Sequence, residues 1–199
     1  MSYKVVFLGE GRVGKTSIGK RWAQGKFEQG TRSTVAAGFF QKSVLVDSKT
    51  IDIQLLDTAG QEEYHSLAPI YYKDAHAAIL VFSSTDIKSF ERTQQWKNEL
   101  NLSRGDDIKL FIVANKIDLV KDRVVTTEQG ENYARSINCP YFEVSAKSGQ
   151  GIDILFNQIA QTLAQIPLGA SKKARSKVGL EVVNGDQPAN PQNKKDGCC

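Results

Sequence analysis

No apolar run among the 199 residues approaches the roughly 18 that a membrane-spanning helix needs, which excludes a transmembrane helix. A strand-like pattern begins at about Tyr3, so no signal peptide is expected ahead of it. Met1-Ser2 lacks the glycine that N-myristoylation requires. Cysteine is scarce. Cys139, Cys198 and Cys199 match neither zinc-site nor disulfide spacing, so a reducing, cytosolic compartment is expected. Cys139, beside Pro140, reads as a small buried side chain. His65 and His76 are the only histidines, and there is no internal repeat.

A strong charge of one sign is also missing. The net charge is +4, and the six cations and three anions of residues 168–199 account for +3 of it. The rest is nearly neutral, so a nucleic-acid-binding face is not expected. A basic tail suits an anionic membrane surface better. The 40% hydrophobic and 24% charged content is ordinary for one soluble domain with a well-filled core.

The chain is organised around Gly9-Glu10-Gly11-Arg12-Val13-Gly14-Lys15-Thr16, which reads G-x-x-x-x-G-K-T, the P-loop pattern. A strand-type run, Tyr3 to Leu8, precedes it, and Ser17 to Gln24 can open a helix. Glycines let the backbone N–H groups of Gly11, Arg12, Val13 and Gly14 wrap a phosphate. The helix N-terminus, with Thr16 and Ser17, aims further N–H groups and a positive dipole end at the same anion. Lys15 is expected to bridge the β- and γ-phosphates, and the Thr16 hydroxyl to hold Mg²⁺. The loop alone names neither the nucleotide nor the choice between a kinase and a switch.

Further along, strand and helix patterns alternate. Phe39 to Val46 and Ile51 to Leu56 flank an Asp47–Thr50 turn and read as an antiparallel hairpin. Ala77 to Phe82 and Leu110 to Ala114 are continuous apolar runs, as in strands covered on both faces. Tyr141 to Val144 is a shorter strand. Helix signals lie between: Asp86 as an N-cap for a helix to Leu100, and a Thr126…Gln129 capping box. An Ile152, Leu155, Phe156, Ile159, Leu163 stripe ends before Pro167. The expected fold is α/β: a doubly wound, six-stranded, mostly parallel sheet with one antiparallel strand, flanked by helices, with ligands at the carboxyl ends of the strands. The domain is expected over residues 1–167. Residues 168–199, with Pro188 and Pro191, are expected to form a disordered tail.

Three further strand ends carry chemistry. Asp57-Thr58-Ala59-Gly60-Gln61 follows the alternating strand. Asp57 is placed to anchor Mg²⁺, Gly60 to let the backbone approach the γ-phosphate, and Gln61 to orient an attacking water. Asn115-Lys116-Ile117-Asp118 follows the next-to-last strand. Asp118 accepts two hydrogen bonds, which matches the N1–H and 2-amino donors of guanine. Adenine presents an acceptor at N1, a mismatch of about 1–3 kcal/mol or more. The Lys116 stem can cover the base. In Ser145-Ala146-Lys147, the Ala146 N–H can donate to the guanine carbonyl. Read singly, each triplet also fits a surface turn. Four in this order on four strand ends define a site.

With these residues in hand, the chain over residues 3 to about 166 resembles the Ras superfamily of small GTPases. It is most similar to the Rab subfamily. Asp57 to Ala75 (DTAGQEEYHSLAPIYYKDA), Ser33 to Phe39, and the terminal Gly197-Cys198-Cys199 carry that resemblance. G-E-G-x-V-G-K-T-S and Y-H-S-L-A-P-I-Y-Y are similar to the early-endosomal group. The resemblance implies that Thr34 is the switch threonine, reaching Mg²⁺ only when the γ-phosphate is present, and that Phe27 packs edge-on against the base. It implies an effector surface at Phe39, Leu56 and Tyr71. His65 reads as effector surface too, not as a general base. It also implies double geranylgeranylation at Cys198 and Cys199. Two lipid chains anchor stably where one does not.

Some positions depart from the family pattern. Arg12 replaces a usually small residue, Ala36 a common glycine, Leu56 a usual Trp, Glu63 a usual Arg, and Phe82-Ser83 a Tyr-Asp pair. These put partner choice in question but remove no catalytic group.

The function expected is a GTP/GDP switch in vesicle-mediated, endocytic membrane traffic that hydrolyses GTP slowly, with Lys15 and Gln61 catalytic. It is expected on the cytoplasmic face of early endosomes or other endocytic vesicles, cycling with the cytosol, as a monomer. The resemblance implies effectors, an exchange factor, a GTPase-activating protein, a GDP-dissociation inhibitor and an escort protein as partners. The rivals are a GTP/GDP-binding scaffold without useful hydrolysis, and a P-loop kinase or ATPase, which Asn115 and Asp118 disfavour.

Overall fold

The computed structural model describes residues 2–29, 38–58 and 72–166. Among these, six strands form one sheet: β1 (Ser2–Leu8), β2 (Gly38–Val46), β3 (Lys49–Asp57), β4 (Ala77–Ser83), β5 (Lys109–Asn115) and β6 (Tyr141–Glu143). The α-helices among the described residues are α1 (Lys15–Gln24), α2 (Ile87–Arg104), α3 (Thr127–Ser136) and α4 (Ile152–Ala164). The strand order is β2-β3-β1-β4-β5-β6. Among the described residues only β2 and β3 pair antiparallel, and the other pairings are parallel. This is the expected doubly wound sheet with one antiparallel strand.

Alternation along the inner strands divides the core in two. Val5, Phe7, Ile79 and Val81 join one buried cluster, with Ile18 and Trp22 of α1 and the α4 stripe. Val6, Leu8, Leu80 and Phe82 join the other, with Phe90, Trp96 and Leu100 of α2 and Ala134 of α3. Period-2 geometry sends neighbours to opposite faces, and helices cover both, so the middles of these strands are apolar on either side. All seven residues of β4 are buried. The Trp22 and Phe156 rings stack with centroids 4.0 Å apart, locking α1 to α4. Truncating such a buried aromatic costs about 3–5 kcal/mol.

Local signals set the element ends. Asp86 caps α2 by accepting from the N–H groups of Lys88 and Ser89, and α2 continues past Leu100 to Arg104. The Thr126–Gln129 capping box opens α3 with both reciprocal bonds made. The β2–β3 turn is tighter than the sequence suggested. Asp47 and Ser48 both take positive φ (45° and 65°), and Val46 pairs directly with Lys49. A two-residue turn of this hand matches the strand twist, so Lys49 and Thr50 join β3.

Candidate functional site: a phosphate loop and two base-side loops

The loop between β1 and α1 runs over Gly9 to Gly14, and α1 begins at Lys15, two residues earlier than the sequence suggested. Gly14 caps the helix in the left-handed region, φ 96°, with no side-chain cap. The cap residue thus offers the first-turn N–H groups no side-chain acceptor, which suits a helix end that binds an anion. Arg12 also takes positive φ, 63°, and is exposed.

Lys15 is buried, and its Nζ donates to the carbonyls of Gly9 at 2.7 Å and Glu10 at 2.8 Å. The ammonium is thus drawn across the loop it closes. Burial pushes its pKa down to about 8, against the opposing pull of Asp57 and Glu10. A phosphate in the loop would add a further negative partner for the ammonium.

Asp57 ends β3 and is 1% exposed. Burial raises its carboxyl, while a hydrogen bond from the Thr16 side chain and the charge of Lys15 pull the other way. Asp57 Oδ1 is buried with no hydrogen-bond partner. An orphaned carboxylate oxygen beside a hydroxyl is the donor set a hard divalent cation prefers, so these residues fit Mg²⁺. Next to it, the Thr58 hydroxyl donates to the Phe7 carbonyl at 2.7 Å, pinning the end of β3 to β1.

On the other side lie the loops after β5 and β6. Asn115 is 2% exposed; its Nδ2 donates to Val13 O at 2.8 Å and its Oδ1 accepts from Ala146 N at 3.2 Å. It fastens all three loops together. Lys116 takes positive φ, 65°, and burial lowers its pKa against the nearby charges of Asp86 and Asp118. The Ser145 hydroxyl donates to Asp118 Oδ1 at 2.6 Å and accepts from Ser148 N at 3.0 Å. Ser145 therefore orients the carboxylate. A carboxylate has about four acceptor sites, so Asp118 retains capacity for two base donors.

Behind these loops, Glu143 accepts from Arg123 Nη1 at 2.8 Å, Thr127 Oγ1 at 2.8 Å and Tyr141 OH at 3.0 Å. Burial alone would raise this carboxyl, but those hydrogen bonds outweigh it and hold it below its ordinary value. The end of β6 is anchored just before Ser145.

Gly11, Arg12, Val13, Gly14, Lys15, Thr16, Ser17, Asp57, Asn115, Lys116, Asp118, Ser145, Ala146 and Lys147 thus all lie in the loops, and the first turn of α1, at the carboxyl ends of β1, β3, β5 and β6. Phe27 is half-buried against the α1–α4 core cluster. Phe39 is 55% exposed and lies opposite Leu56 in the β2–β3 register. Thr34, Gly60, Gln61, Tyr71, Cys198 and Cys199 lie outside the described residues, as do Ala36, Glu63 and His65. Three contributors had no role assigned from the sequence. Arg21 of α1 reaches the carbonyls of Ala146 and Lys147. Thr58 ties β3 to β1. Arg92 of α2 pairs with Glu10 of the phosphate loop at 3.2 Å.

The Ras family model matches residues 4–165. The chain belongs to the Ras family, in its Rab branch. Ras-related protein Rab-21 from Canis lupus familiaris is 38% identical over 206 aligned residues, spanning 100% of this chain and 92% of the relative. The Rattus norvegicus protein of the same name matches to the same extent. The Homo sapiens Rab-21 is 38% identical, with 100% of this chain and 91% of the relative covered. The Rab resemblance read from the motifs is therefore correct, and this Rab-branch chain is a GTP hydrolase.

Proposed function

We propose that this Rab-branch GTPase is a GTP/GDP switch of endocytic membrane traffic. The observation that carries the proposal is the Asn115 tie, which fastens the phosphate loop at Val13 to the base-side loop at Ala146. Phosphate and base recognition become one site, as a nucleoside-phosphate ligand needs.

In this reading Gly11 to Ser17 cradle the phosphates, with Lys15 giving up carbonyl partners for the β- and γ-oxygens. Asp118 accepts from guanine N1–H and the 2-amino group, Ala146 N–H, shared with Asn115 Oδ1, donates to its carbonyl, and Lys116 and Phe27 flank the ring. Asp57, Thr16 and Thr34 would hold Mg²⁺, which neutralises charge developing on the phosphate oxygens. Gln61 orients the water that attacks the γ-phosphorus as the bond to the β–γ bridging oxygen breaks. No arginine is assigned to that oxygen in cis, so intrinsic turnover is on the order of 10⁻⁴–10⁻³ s⁻¹ and needs an activating protein in trans. Thr34 and Gly60 report the γ-phosphate to effectors meeting Phe39, Leu56 and Tyr71.

Residues 1–167 form the GTPase domain. Residues 168–199 serve as a tether, with geranylgeranyl groups at Cys198 and Cys199. An exchange factor, a GDP-dissociation inhibitor and an escort protein complete the cycle. The endocytic assignment rests on the early-endosomal motif resemblance and on relatives that carry the name Rab-21.

Single-turnover hydrolysis of GTP by the wild type and Gln61→Leu tests the chemistry. Slow hydrolysis abolished by the substitution supports it; hydrolysis unchanged by it points to the scaffold reading. Imaging an N-terminally tagged chain beside an endocytic marker, with and without Cys198 and Cys199, tests the membrane. Puncta that become diffuse without the cysteines support the tether. Puncta on another organelle keep the switch and discard the endocytic assignment.

A further inference from the structure

Arg21 links the helix of the phosphate side to the loop of the base side. Its Nε donates to Ala146 O at 2.8 Å, its Nη2 to Lys147 O at 2.6 Å and its Nη1 to Gly25 O at 2.9 Å. The planar guanidinium carries its donors in a fixed fork, so three acceptors set its plane, and the plane in turn sets the acceptors. Ala146 is held from both ends: its N–H meets Asn115 Oδ1 at 3.2 Å and its carbonyl meets Arg21. The Ser145–Lys147 loop has no strand or helix of its own to fix those peptide planes.

We propose that Arg21 is a positioning residue for the guanine base. It presets the Ala146 peptide in the orientation that receives the base, and so slows nucleotide release. The proposal rests on the assignment above that Ala146 N–H meets guanine. Arg21 itself lies six residues along α1 from Lys15, about 9 Å of helix rise, so it acts on the base side without touching the phosphate and cation groups. Gly25, its third partner, closes α1 with φ 68° and donates back to Arg21 O at 3.0 Å. The same side chain therefore also fixes where the chain leaves α1.

The test is release of a fluorescent GDP analogue from the full-length chain into excess GDP, with Mg²⁺ and again with EDTA. The variants are Arg21→Met, which keeps the stem without donors, and Arg21→Lys, which keeps the charge and can hold fewer carbonyls. The expected result is release about tenfold faster for Arg21→Met and a smaller increase for Arg21→Lys. The ratio of EDTA to Mg²⁺ rates should match the wild type, because the cation ligands are untouched. Wild-type rates in both variants overturn the proposal. So does a collapsed EDTA-to-Mg²⁺ ratio, which would mean that the substitution acts through α1 on the phosphate side. If Arg21→Met does not fold, Arg21→Lys decides, and a wild-type rate in the folded protein overturns it. A wild-type chain that retains no guanine nucleotide overturns the underlying base assignment, and this proposal with it, before any variant is compared.

Discussion

Asn115 Nδ2 donates to Val13 O across 2.8 Å, so a residue at the end of β5 holds the phosphate loop that follows β1. The other end of the same carboxamide holds Ala146. Asn115→Ala strands a buried carbonyl and a buried N–H. Two lost bonds of about 1 kcal/mol each predict GDP release about 30-fold faster. Stopped-flow release of labelled GDP reads it, and a wild-type rate would contradict the tie.

Gly14 and Gly25 both sit at positive φ, 96° and 68°, but in different surroundings. A Cβ on Gly14 would lie 2.4 Å from Asn115 Nδ2, whereas one on Gly25 meets nothing within 4 Å. Gly25→Ala should therefore carry only the left-handed penalty of about 1–2 kcal/mol and keep nucleotide binding. Gly14→Ala must also displace Asn115, and should lose GDP binding. Thermal melts alongside equilibrium binding separate the two.

Burial holds Lys15 at about 8 against an ordinary 10.5. Between these values the unfolded chain keeps a proton that the folded chain has released. Stability of the nucleotide-free protein should therefore rise with pH across that window, by up to about 1.4 kcal/mol per pH unit, and be flat in this term below it. Denaturant melts of wild type minus Lys15→Met isolate the slope. Bound phosphate pulls the other way by favouring the ammonium, so GDP affinity should fall as pH rises past about 8.

Glu143 is held below its ordinary value by Arg123, Thr127 and Tyr141. Its contribution is complete above the unfolded carboxylate value of about 4.3 and is lost as pH falls through the lower folded one. Glu143→Gln should lose stability at neutral pH and show a shallower acid-unfolding profile below about pH 4.3, measured by circular dichroism. A profile superimposable on the wild type would remove Glu143 from the anchor behind Ser145.

The motifs at residues 9–16, 115–118 and 145–147, whose loops the fold brings together, were legible as loops because each is a contiguous run whose chemistry lies in its own backbone and adjacent side chains. Gly11 to Thr16 and Asn115 to Asp118 need only a strand before them to become a site. The capping box at Thr126 and Gln129 was readable for the same reason, since donor and acceptor are three residues apart. The apolar runs of β4 and β5 announced strands covered on both faces. Less was legible at the Asp47–Ser48 turn, where composition signals a turn but not which two residues take positive φ.

What only the tertiary structure decided is how the loops hold one another. Arg21 and Ala146 are 125 residues apart, and Asn115 and Val13 are 102 apart. Their acceptors are backbone carbonyls, which every residue carries and no side chain marks. Such a bond exists only because the sheet order sets β1 between β3 and β4, with β5 and β6 beyond, so that loops distant in sequence share one edge. Local sequence determined the chemistry available at each strand end. The folded sheet determined which of those ends grip each other.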